Sequence, residues 1–183
     1  PKIDYAAVSR RREKVIKTLT GGVAGLFKKN GIEVIEGEGR LGGAGQVVVD
    51  GTDIAARTIV LATGSVKRPI PGASFGGLVI GTEEAWALSE LPRSLAVVGA
   101  GASGAEIASG YARLGSEVLL FEALDRVLPT EDADVSKLVE RGLKHQGVTV
   151  HTGTFVTDVA ADESRVAFKH GEESREVQWL VIA

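Results

Sequence analysis

Two stretches of this sequence carry the G-x-G-x-x-G spacing of loops that hold the diphosphate of a dinucleotide: GEGRLG at 37–42 and GAGASG at 99–104. Glycines at these positions let the backbone turn tightly and approach the phosphates, and the N-terminus of a following helix receives their charge. The chain contains 24 glycines in 183 residues, so the spacing alone decides nothing. The elements on either side of each loop must decide.

The first loop lacks the helix that a phosphate site needs. GEGRLG follows one β-rich segment, and LGGAGQVVVD runs from it directly into another. Without a helix N-terminus there are no convergent amide groups and no positive dipole end for a diphosphate. The sequence therefore predicts a glycine-rich turn or bulge at 37–42.

The second loop has the required surroundings. The apolar segment SLAVV precedes it, and ASGAEIASGYARL follows with helical spacing and Gly115 as a stop. Gly99 permits the turn, Gly101 lets the backbone approach the diphosphate, and Gly104 lets helix and strand pack closely. Glu122 ends the next strand, about 20 residues on, where an acidic group accepts hydrogen bonds from the ribose hydroxyls and repels a 2′-phosphate. The pattern predicts an NAD site rather than an NADP site.

The elements before residue 68 are one long helix and several short strands. Helical spacing predicts a helix over 5–29, capped by Asp4 and ended by Gly31. The β-rich segments IEVIEG, QVVVDG, DIAAR and TIVLATG follow, and the Asp-Gly pair within VVVDGT predicts an antiparallel hairpin at 46–56. RPIPGAS at 68–74 is the best linker candidate, so the predicted domains are 1–68 and 69–183.

After the linker, strands and helices alternate as in a parallel sheet with crossover helices. Strands are predicted at 95–99, 117–121 and 148–152, with helices at 102–114 and 133–146. Three further β segments are predicted around 154–160, 164–169 and 176–182.

The two halves of the chain resemble each other. KKNGIEVIEG, further strands and RTIVLATG parallel KHQGVTVHTG, further strands and VQWLVIA, so that Gly31 corresponds to Gly147 and Ala62 to Ala183. The predicted fold class is α/β, with two related Rossmann-like three-layer nucleotide-binding domains. The first domain is expected to be incomplete, and each is expected to carry a small antiparallel β-meander. The chain is expected to be a fragment, because it starts at Pro1 and stops within a β-rich segment.

Composition and charge argue against several function classes. A formal charge of −3 gives no broad field for nucleic acid or an anionic membrane, and no run of apolar residues is long enough to span a bilayer. The chain has no cysteine, so thiolate metal sites and thiol nucleophiles are excluded within it, and no metal site is predicted. The basic run at 10–14 is best explained as a solvated helix face, and EDAD at 131–134 as the acidic start of a helix. No nucleophile elbow of a hydrolase occurs.

Several longer segments resemble the dihydrolipoamide dehydrogenase family of FAD-dependent pyridine nucleotide-disulfide reductases, and together they cover nearly all of the chain. The segments are LTGGVAGLFKKNGIEVIEGEGRL, IVLATGSVKRPIPG, GTEEAWALSELPRSLAVVGAGASGAEIA and EALDRVLPTEDADVSKLVERGLKHQGVTV. They are much more specific than either glycine motif. The resemblance implies that the first half completes an FAD domain and that the second is an NAD domain.

The resemblance also implies site residues. Gly39 would lie by the adenosine end of FAD, and Thr63, Gly64 and Ser65 would pass the flavin nucleotide. The implied NAD-binding residues are Gly99, Ala100, Gly101, Ala102, Ser103, Gly104, Glu122 at the ribose and Val156 beside the adenine.

Glu106 has two explanations at this stage. The resemblance implies a catalytic residue that reaches toward the flavin near the nicotinamide and pairs with a lysine outside these residues. From the sequence alone, Glu106 is a first-turn glutamate favoured by the helix dipole.

The implied activity is oxidation of dihydrolipoamide, with electrons passing through a disulfide and FAD to NAD⁺. The implied partners are dihydrolipoamide or the lipoyl domain of a 2-oxoacid dehydrogenase complex, and a second copy in a homodimer. Nucleic acid and membrane are not expected partners. The expected location is the cytoplasm, or the mitochondrial matrix in a eukaryote. The redox-active cysteine pair of the family lies outside these residues, so the chain alone is expected to be inactive.

Three alternatives remain open from the sequence. The chain could belong to another disulfide reductase, such as a mercuric or glutathione reductase or an NADH oxidase, although Glu122 disfavours those that use NADPH. It could be a non-catalytic NAD-binding module. It could also be a methyltransferase, in which a similar glycine loop and acidic strand end bind S-adenosylmethionine.

Overall fold

A computed structural model describes residues 3–183 of the protein, which form two compact units. The larger unit contains the chain up to Ser9 together with Lys67–Ala183, and the smaller unit contains Arg10–Val66. The domain bounds at 1–68 and 69–183 stay a prediction. Among the described residues, no helix has the length and apolar character needed to cross a membrane.

The long helix α1 (Tyr5–Lys29) begins in the larger unit and continues through the smaller one. Its start and end follow the sequence prediction. The Asp4 carboxylate accepts a hydrogen bond of 3.0 Å from the Ala7 amide, and Gly31 adopts a left-handed conformation with φ of +64°. A side-chain cap at one end and a glycine free of Cβ strain at the other are the usual helix boundaries.

The rest of the smaller unit is a three-stranded antiparallel sheet. Its strands are β1 (Gly39–Gly43), β2 (Gln46–Val49) and β3 (Thr52–Ala55), in that order. Asp50 and Gly51 join β2 to β3 with positive φ at both positions, as a tight hairpin requires, which confirms the antiparallel hairpin.

Two strand predictions in the smaller unit are wrong. The segments at 32–37 and 58–64 have β-rich composition but form no strand, and Val60 is 82% exposed. A strand exists only when a neighbour completes its backbone hydrogen bonds, and neither segment has such a neighbour in the described chain.

The larger unit contains eight strands and three further helices. They are β4 (Val79–Gly81), α2 (Thr82–Ala87), β5 (Ser94–Val98), α3 (Ala102–Leu114), β6 (Glu117–Phe121), α4 (Ala133–His145), β7 (Thr149–His151), β8 (Val156–Ala161), β9 (Val166–His170), β10 (Glu173–Val177) and β11 (Trp179–Ile182). The short elements β4 and α2 carry no strong sequence pattern and were not predicted. The β segment predicted at 176–182 is divided at Gln178 between two sheets.

A parallel sheet with strand order β4-β11-β5-β6-β7 forms the centre of the larger unit. Side chains alternate between its faces, as the pleat of a strand requires. On β5, Leu95 and Val97 pack among residues of α3 and α4, whereas Ala96 packs on the other face among residues of the second antiparallel sheet. Burial on both faces explains why these strands are continuously apolar.

The second face is covered by the antiparallel sheet β10-β9-β8, so helices, parallel sheet and meander make three layers. Val156, Val166, Phe168 and Val177 of the meander pack against Leu119 and Phe121 of β6, together with other buried residues. Each such side chain contributes on the order of 1.5–3 kcal/mol when fully buried. The predicted α/β class, with a parallel sheet and small antiparallel sheets, is confirmed.

The internal repeat is visible in the helix ends. Gly31 follows α1 with φ of +64°, and Gly147 follows α4 with φ of +90°. The residue after each glycine donates to a carbonyl five residues back: Ile32 to Phe27 at 2.9 Å and Val148 to Leu143 at 3.1 Å. Each helix end is followed by a three-stranded meander, as predicted. The correspondence is incomplete at Ala62, which lies outside any strand, whereas Ala183 directly follows β11.

Candidate functional site

The three glycines of the second loop occupy positions with three different requirements. Gly99 has φ of +104°, and a Cβ there would lie 2.4 Å from the Ala183 carbonyl oxygen. A Cβ on Gly104 would lie 1.9 Å from the Gly99 carbonyl oxygen, so α3 can approach β5 this closely only with glycine there. A Cβ on Gly101 would meet nothing within 4 Å. Of the three glycines, only Gly101 thus has open space where its side chain would be.

Helix α3 begins within this motif, with Gly101 as its N-cap residue and a hydrogen bond of 2.9 Å from the Ala105 amide to the Gly101 carbonyl. The amides of the first helical residues have no acceptor inside the helix, and the helix dipole adds about half a positive charge at this end. Ala102 and Ser103 are exposed. The arrangement suits an anion such as a diphosphate.

Glu122, directly after β6, is buried and braces the glycine loop. Its two carboxylate oxygens accept hydrogen bonds from the Ala100 amide at 2.7 Å and from the Leu124 amide at 3.0 Å. The side chain is only 8% exposed. A carboxylate offers about four acceptor positions, so about two remain for hydroxyl groups of a ligand. The sequence predicted the ribose contact and missed the bond to Ala100, because that bond joins residues 22 apart in the chain.

A groove of about 360 Å³ lies where β5, β6 and β11 end. The strand order reverses beside β5: the chain continues from β5 to β6 and β7 on one side, and after the meander it returns to form β11 on the other side. Ligands of open α/β sheets bind at such switch points, at the carboxyl ends of the strands. Gly99, Glu122 and the buried Val156 all line the groove.

The groove also has residues that the sequence pattern did not reveal. Arg68 and its neighbours through Pro71 contribute one part of the lining, and Thr154 and Phe155 contribute another. Two backbone hydrogen bonds hold the second segment to the end of β6: the Gly153 amide to the Leu124 carbonyl at 2.7 Å, and the Thr154 amide to the Glu122 carbonyl at 2.9 Å. RPIPGAS signalled only a linker, and no periodicity marks the exposed Phe155.

Glu106 lies just beyond the first turn of α3, and its catalytic role stays a prediction. It is the fifth residue of α3, and the first turn of α3 contains no acidic residue, so the first-turn explanation is wrong. The exposed side chain lines a different groove, of about 550 Å³, with Ser109, Arg113 and Gln146 among its other residues. The two grooves share no lining residue.

The residues predicted from the resemblance to contact FAD all lie in the smaller unit. Gly39 begins β1, and the strand pairing shifts by one residue between Leu41 and Gly43, so GEGRLG contains the β-bulge that the sequence predicted. Thr63, Gly64 and Ser65 are exposed and outside any strand. The φ of Gly64 is +74°, a conformation that favours glycine.

A cluster of aromatic rings and imidazoles lies behind the groove, between the parallel sheet and the meander. The Phe121 ring stacks on His151 with 4.9 Å between centroids, and the His151 and His170 centroids are also 4.9 Å apart. Burial lowers the pKa of His151, and the nearby His170 lowers it further. His170 Nε2 is buried and has no hydrogen-bond partner among the described residues. Burial therefore favours the neutral form of His151.

Comparison with known families gives one extensive match. Residues 2–183 match the family described as pyridine nucleotide-disulphide oxidoreductase.

Curated relatives carry the name dihydrolipoyl dehydrogenase. The protein from Chlorobaculum tepidum is 44% identical over 167 residues, which cover 88% of this chain and 35% of the relative. The protein from Thermus scotoductus is 39% identical over 155 residues, covering 84% and 34%. The chain thus spans about a third of the length of the relatives it matches.

Solved structures share the fold. The HOCl-induced flavoprotein disulfide reductase RclA from Escherichia coli is 28% identical with a TM-score of 0.83, over 99% of this chain and 42% of that one. LpdA from Mycobacterium tuberculosis has a TM-score of 0.85 over 100% of this chain and 43% of that one. At 23% identity, LpdA is similar in fold alone.

Proposed function

The chain belongs to the pyridine nucleotide-disulphide oxidoreductase family, and from this premise we propose that its larger unit binds NAD(H) within a flavoprotein dihydrolipoamide dehydrogenase. The family resemblance seen in the sequence is confirmed by the match over residues 2–183. The single observation that carries the nucleotide proposal is the buried Glu122 carboxylate, hydrogen-bonded to the Ala100 amide at the floor of the groove.

The glycine loop and the groove beside it together fit a dinucleotide. Gly101 leaves open the space that a Cβ would fill, next to the N-terminus of α3, so the backbone can contact a diphosphate directly. Glu122 retains acceptor positions for the adenosine ribose hydroxyls, and Val156 supplies an apolar surface for the adenine.

Each group of the proposed site has its own role. The amides of Ala102 and Ser103 and the backbone at Gly101 hold the diphosphate, while Glu122 keeps the loop in place and selects a 2′-hydroxyl over a 2′-phosphate. The nicotinamide supplies the hydride chemistry when it is bound. The task of the protein in this unit is to hold and orient the ring.

The smaller unit can supply only part of an FAD site. Gly39 and Gly64 offer close approach of the backbone, but no helix begins after either within Arg10–Val66. The amide cradle for the FAD diphosphate is therefore not formed by the described residues of this unit. FAD as a cofactor of the family remains part of the proposal for the whole flavoprotein.

The substrate and partners follow from the same proposal. The relatives named dihydrolipoyl dehydrogenase support dihydrolipoamide, free or on the lipoyl domain of a 2-oxoacid dehydrogenase complex, as the electron donor. A homodimer and a location in the cytoplasm or mitochondrial matrix belong to the proposal for the whole protein.

The first prediction tests the nucleotide preference. In isothermal titration calorimetry of the full-length protein, NADH should bind at least about tenfold more tightly than NADPH, because the 2′-phosphate would be placed beside the Glu122 carboxylate. Glu122→Gln should weaken NADH binding and reduce the difference in affinity between NADH and NADPH. Equal affinity for both nucleotides would contradict the NAD assignment, and tighter binding of S-adenosylmethionine would indicate a methyltransferase.

A further inference from the structure

The groove at the strand ends contains one cationic side chain that the proposed nucleotide site does not yet use. Among its lining side chains, Arg68 carries the only positive charge and Glu122 the only negative charge. Arg68 is exposed and forms no ion pair with any residue of the described chain. An arginine without a carboxylate partner beside a binding groove is free to meet an anion.

The backbone that carries Arg68 is held in place. The preceding Lys67 forms an ion pair with Glu84, and its ammonium lies 4.7 Å from the centroid of the Phe75 ring. The hydrogen bond from Lys67 keeps the pKa of Glu84 below its usual value, and the other oxygen of Glu84 accepts the Gly81 amide at 2.9 Å. These contacts fix the residue just before Arg68 to the start of α2.

The residues after Arg68 are held as well. Ile70 packs against the buried cluster that includes Val156, and its carbonyl accepts the Ala73 amide at 3.1 Å. Pro69 and Pro71 each restrict φ to a narrow range. The backbone of Arg68 is therefore fixed at the groove, and its exposed side chain is accessible to a ligand there.

A bound dinucleotide would leave negative charge in the groove that the protein backbone offsets only in part. A dinucleotide brings a diphosphate with two negative charges into a groove that already contains the Glu122 carboxylate. The helix dipole of α3 supplies the equivalent of only about half a positive charge. A guanidinium offsets the remainder and can donate two parallel hydrogen bonds to phosphate oxygens.

We propose that Arg68, in the segment that precedes β4, binds the diphosphate of the pyridine dinucleotide. Its guanidinium would complement the Glu122 carboxylate, which would bind the ribose. The inference rests on the proposed function of the groove. It makes Arg68 a specificity-determining residue: it favours ligands with a diphosphate over ligands that consist of the nucleoside alone.

The test compares three ligands on the full-length protein at low salt: NADH, ADP-ribose and adenosine. Calorimetry serves for the first two and NMR titration for adenosine. Arg68→Gln should weaken NADH and ADP-ribose by about 5- to 20-fold, the range for an exposed charged hydrogen bond, and should leave adenosine unchanged. Arg68→Lys should retain part of the affinity, because it keeps the charge and loses the two-pronged geometry. The difference in affinity between wild type and Arg68→Gln should be smaller in about 0.5 M salt, because the charges of exposed groups are then screened over a few ångströms.

Arg93→Gln is the matched control. Arg93 is also exposed, lacks an ion pair among the described residues, and lies just before β5, at the opposite end of the parallel sheet. It should bind all three ligands like the wild type. If Arg68→Gln bound NADH as tightly as the wild type, the role of Arg68 would be refuted and the proposed function would stand. An equal loss for adenosine would also refute that role, because it would indicate a general disturbance of the groove. A wild-type protein that binds neither NADH nor ADP-ribose would instead overturn the proposed function and this inference with it.

Discussion

Among single residues, Glu122 has a structural role beside the recognition role proposed for it. Its oxygens accept amides from the glycine loop and from the residue two positions further along, before any ligand binds. A buried carboxylate is costly unless it is hydrogen-bonded, and the two amides supply that compensation. The ribose-selecting group is thereby held in one place, so little ordering remains to be done when a nucleotide binds.

Glu106 provides the prediction at this scale. In the full-length flavoprotein, Glu106→Gln should slow flavin reduction by NADH about tenfold or more and change NADH affinity little, as expected for a group that acts in the transition state only. The role in the rate is the one that the family resemblance implies, and little change in affinity is expected because Glu106 is exposed outside the groove that contains Glu122. Stopped-flow absorbance of the flavin measures the rate.

Glu117→Gln is the control for Glu106, because Glu117 is exposed and begins β6 at the opposite end of the parallel sheet. The control should reduce the flavin at the wild-type rate. An unchanged rate in Glu106→Gln would remove Glu106 from the proposed catalytic machinery.

At the scale of elements, the packing of α3 on β5 determines whether the loop can form. The Gly104 position in α3 approaches the Gly99 carbonyl so closely that a methyl group would overlap it, at 1.9 Å. Both positions belong to the same fingerprint, so a shift of the helix also moves the amides that are proposed to bind the diphosphate. Interiors are packed too tightly to absorb such an overlap without a shift of backbone.

Gly104→Ala should therefore destabilise the protein by about 1–3 kcal/mol or more, the cost of overpacking, and should weaken NADH binding. Urea denaturation and calorimetry measure the two effects. The matched control is Gly142→Ala in α4, where a Cβ would meet nothing within 4 Å. That change should stabilise the protein by about 0.5–1 kcal/mol, because alanine favours helix. Equal stability of the two variants would show that α3 does not depend on close approach at Gly104.

At the scale of the whole larger unit, two histidines lie where the parallel sheet packs against the meander. Phe121, His151 and His170 lie together in this layer. Glu173 Oε2 lies 3.9 Å from His170 Nε2, and the charge of Arg175 contributes to lowering the pKa of His151. The pKa of His151 is lowered mainly by burial. The folded state therefore takes up a proton at this site less readily than the unfolded state does.

The sign of the pH dependence follows from this shift. The stability associated with neutral His151 is complete above its unfolded pKa of about 6.5, and it is lost as the pH falls through that value toward the lower folded pKa. The free energy of unfolding, measured by urea denaturation between pH 7.5 and 5, should thus fall with acid. His151→Phe keeps a flat ring against Phe121 and removes the titration, so its slope in this range should be smaller. Identical slopes in the two proteins would assign the pH dependence to other groups.

Most elements of the larger unit could be predicted because each leaves a local signal, whereas the short β4 and α2 leave none. The apolar run of β5, the glycine spacing after it and the helical periodicity of α3 lie within about 20 consecutive residues, and the structure places all three as predicted. The smaller unit was harder. The segments at 32–37 and 58–64 have strand composition, but a strand also depends on a neighbour, and composition does not supply one.

Local sequence patterns were sufficient to predict the α/β class, the position of the glycine fingerprint between β5 and α3, and the family, because these depend on contiguous residues. The folded chain was needed to reveal the hydrogen bond from the Ala100 amide to Glu122 and the presence of Arg68 and Phe155 in the groove. These residues come from segments far apart in the chain. Their meeting depends on the order in which parallel strands assemble, which no local pattern encodes.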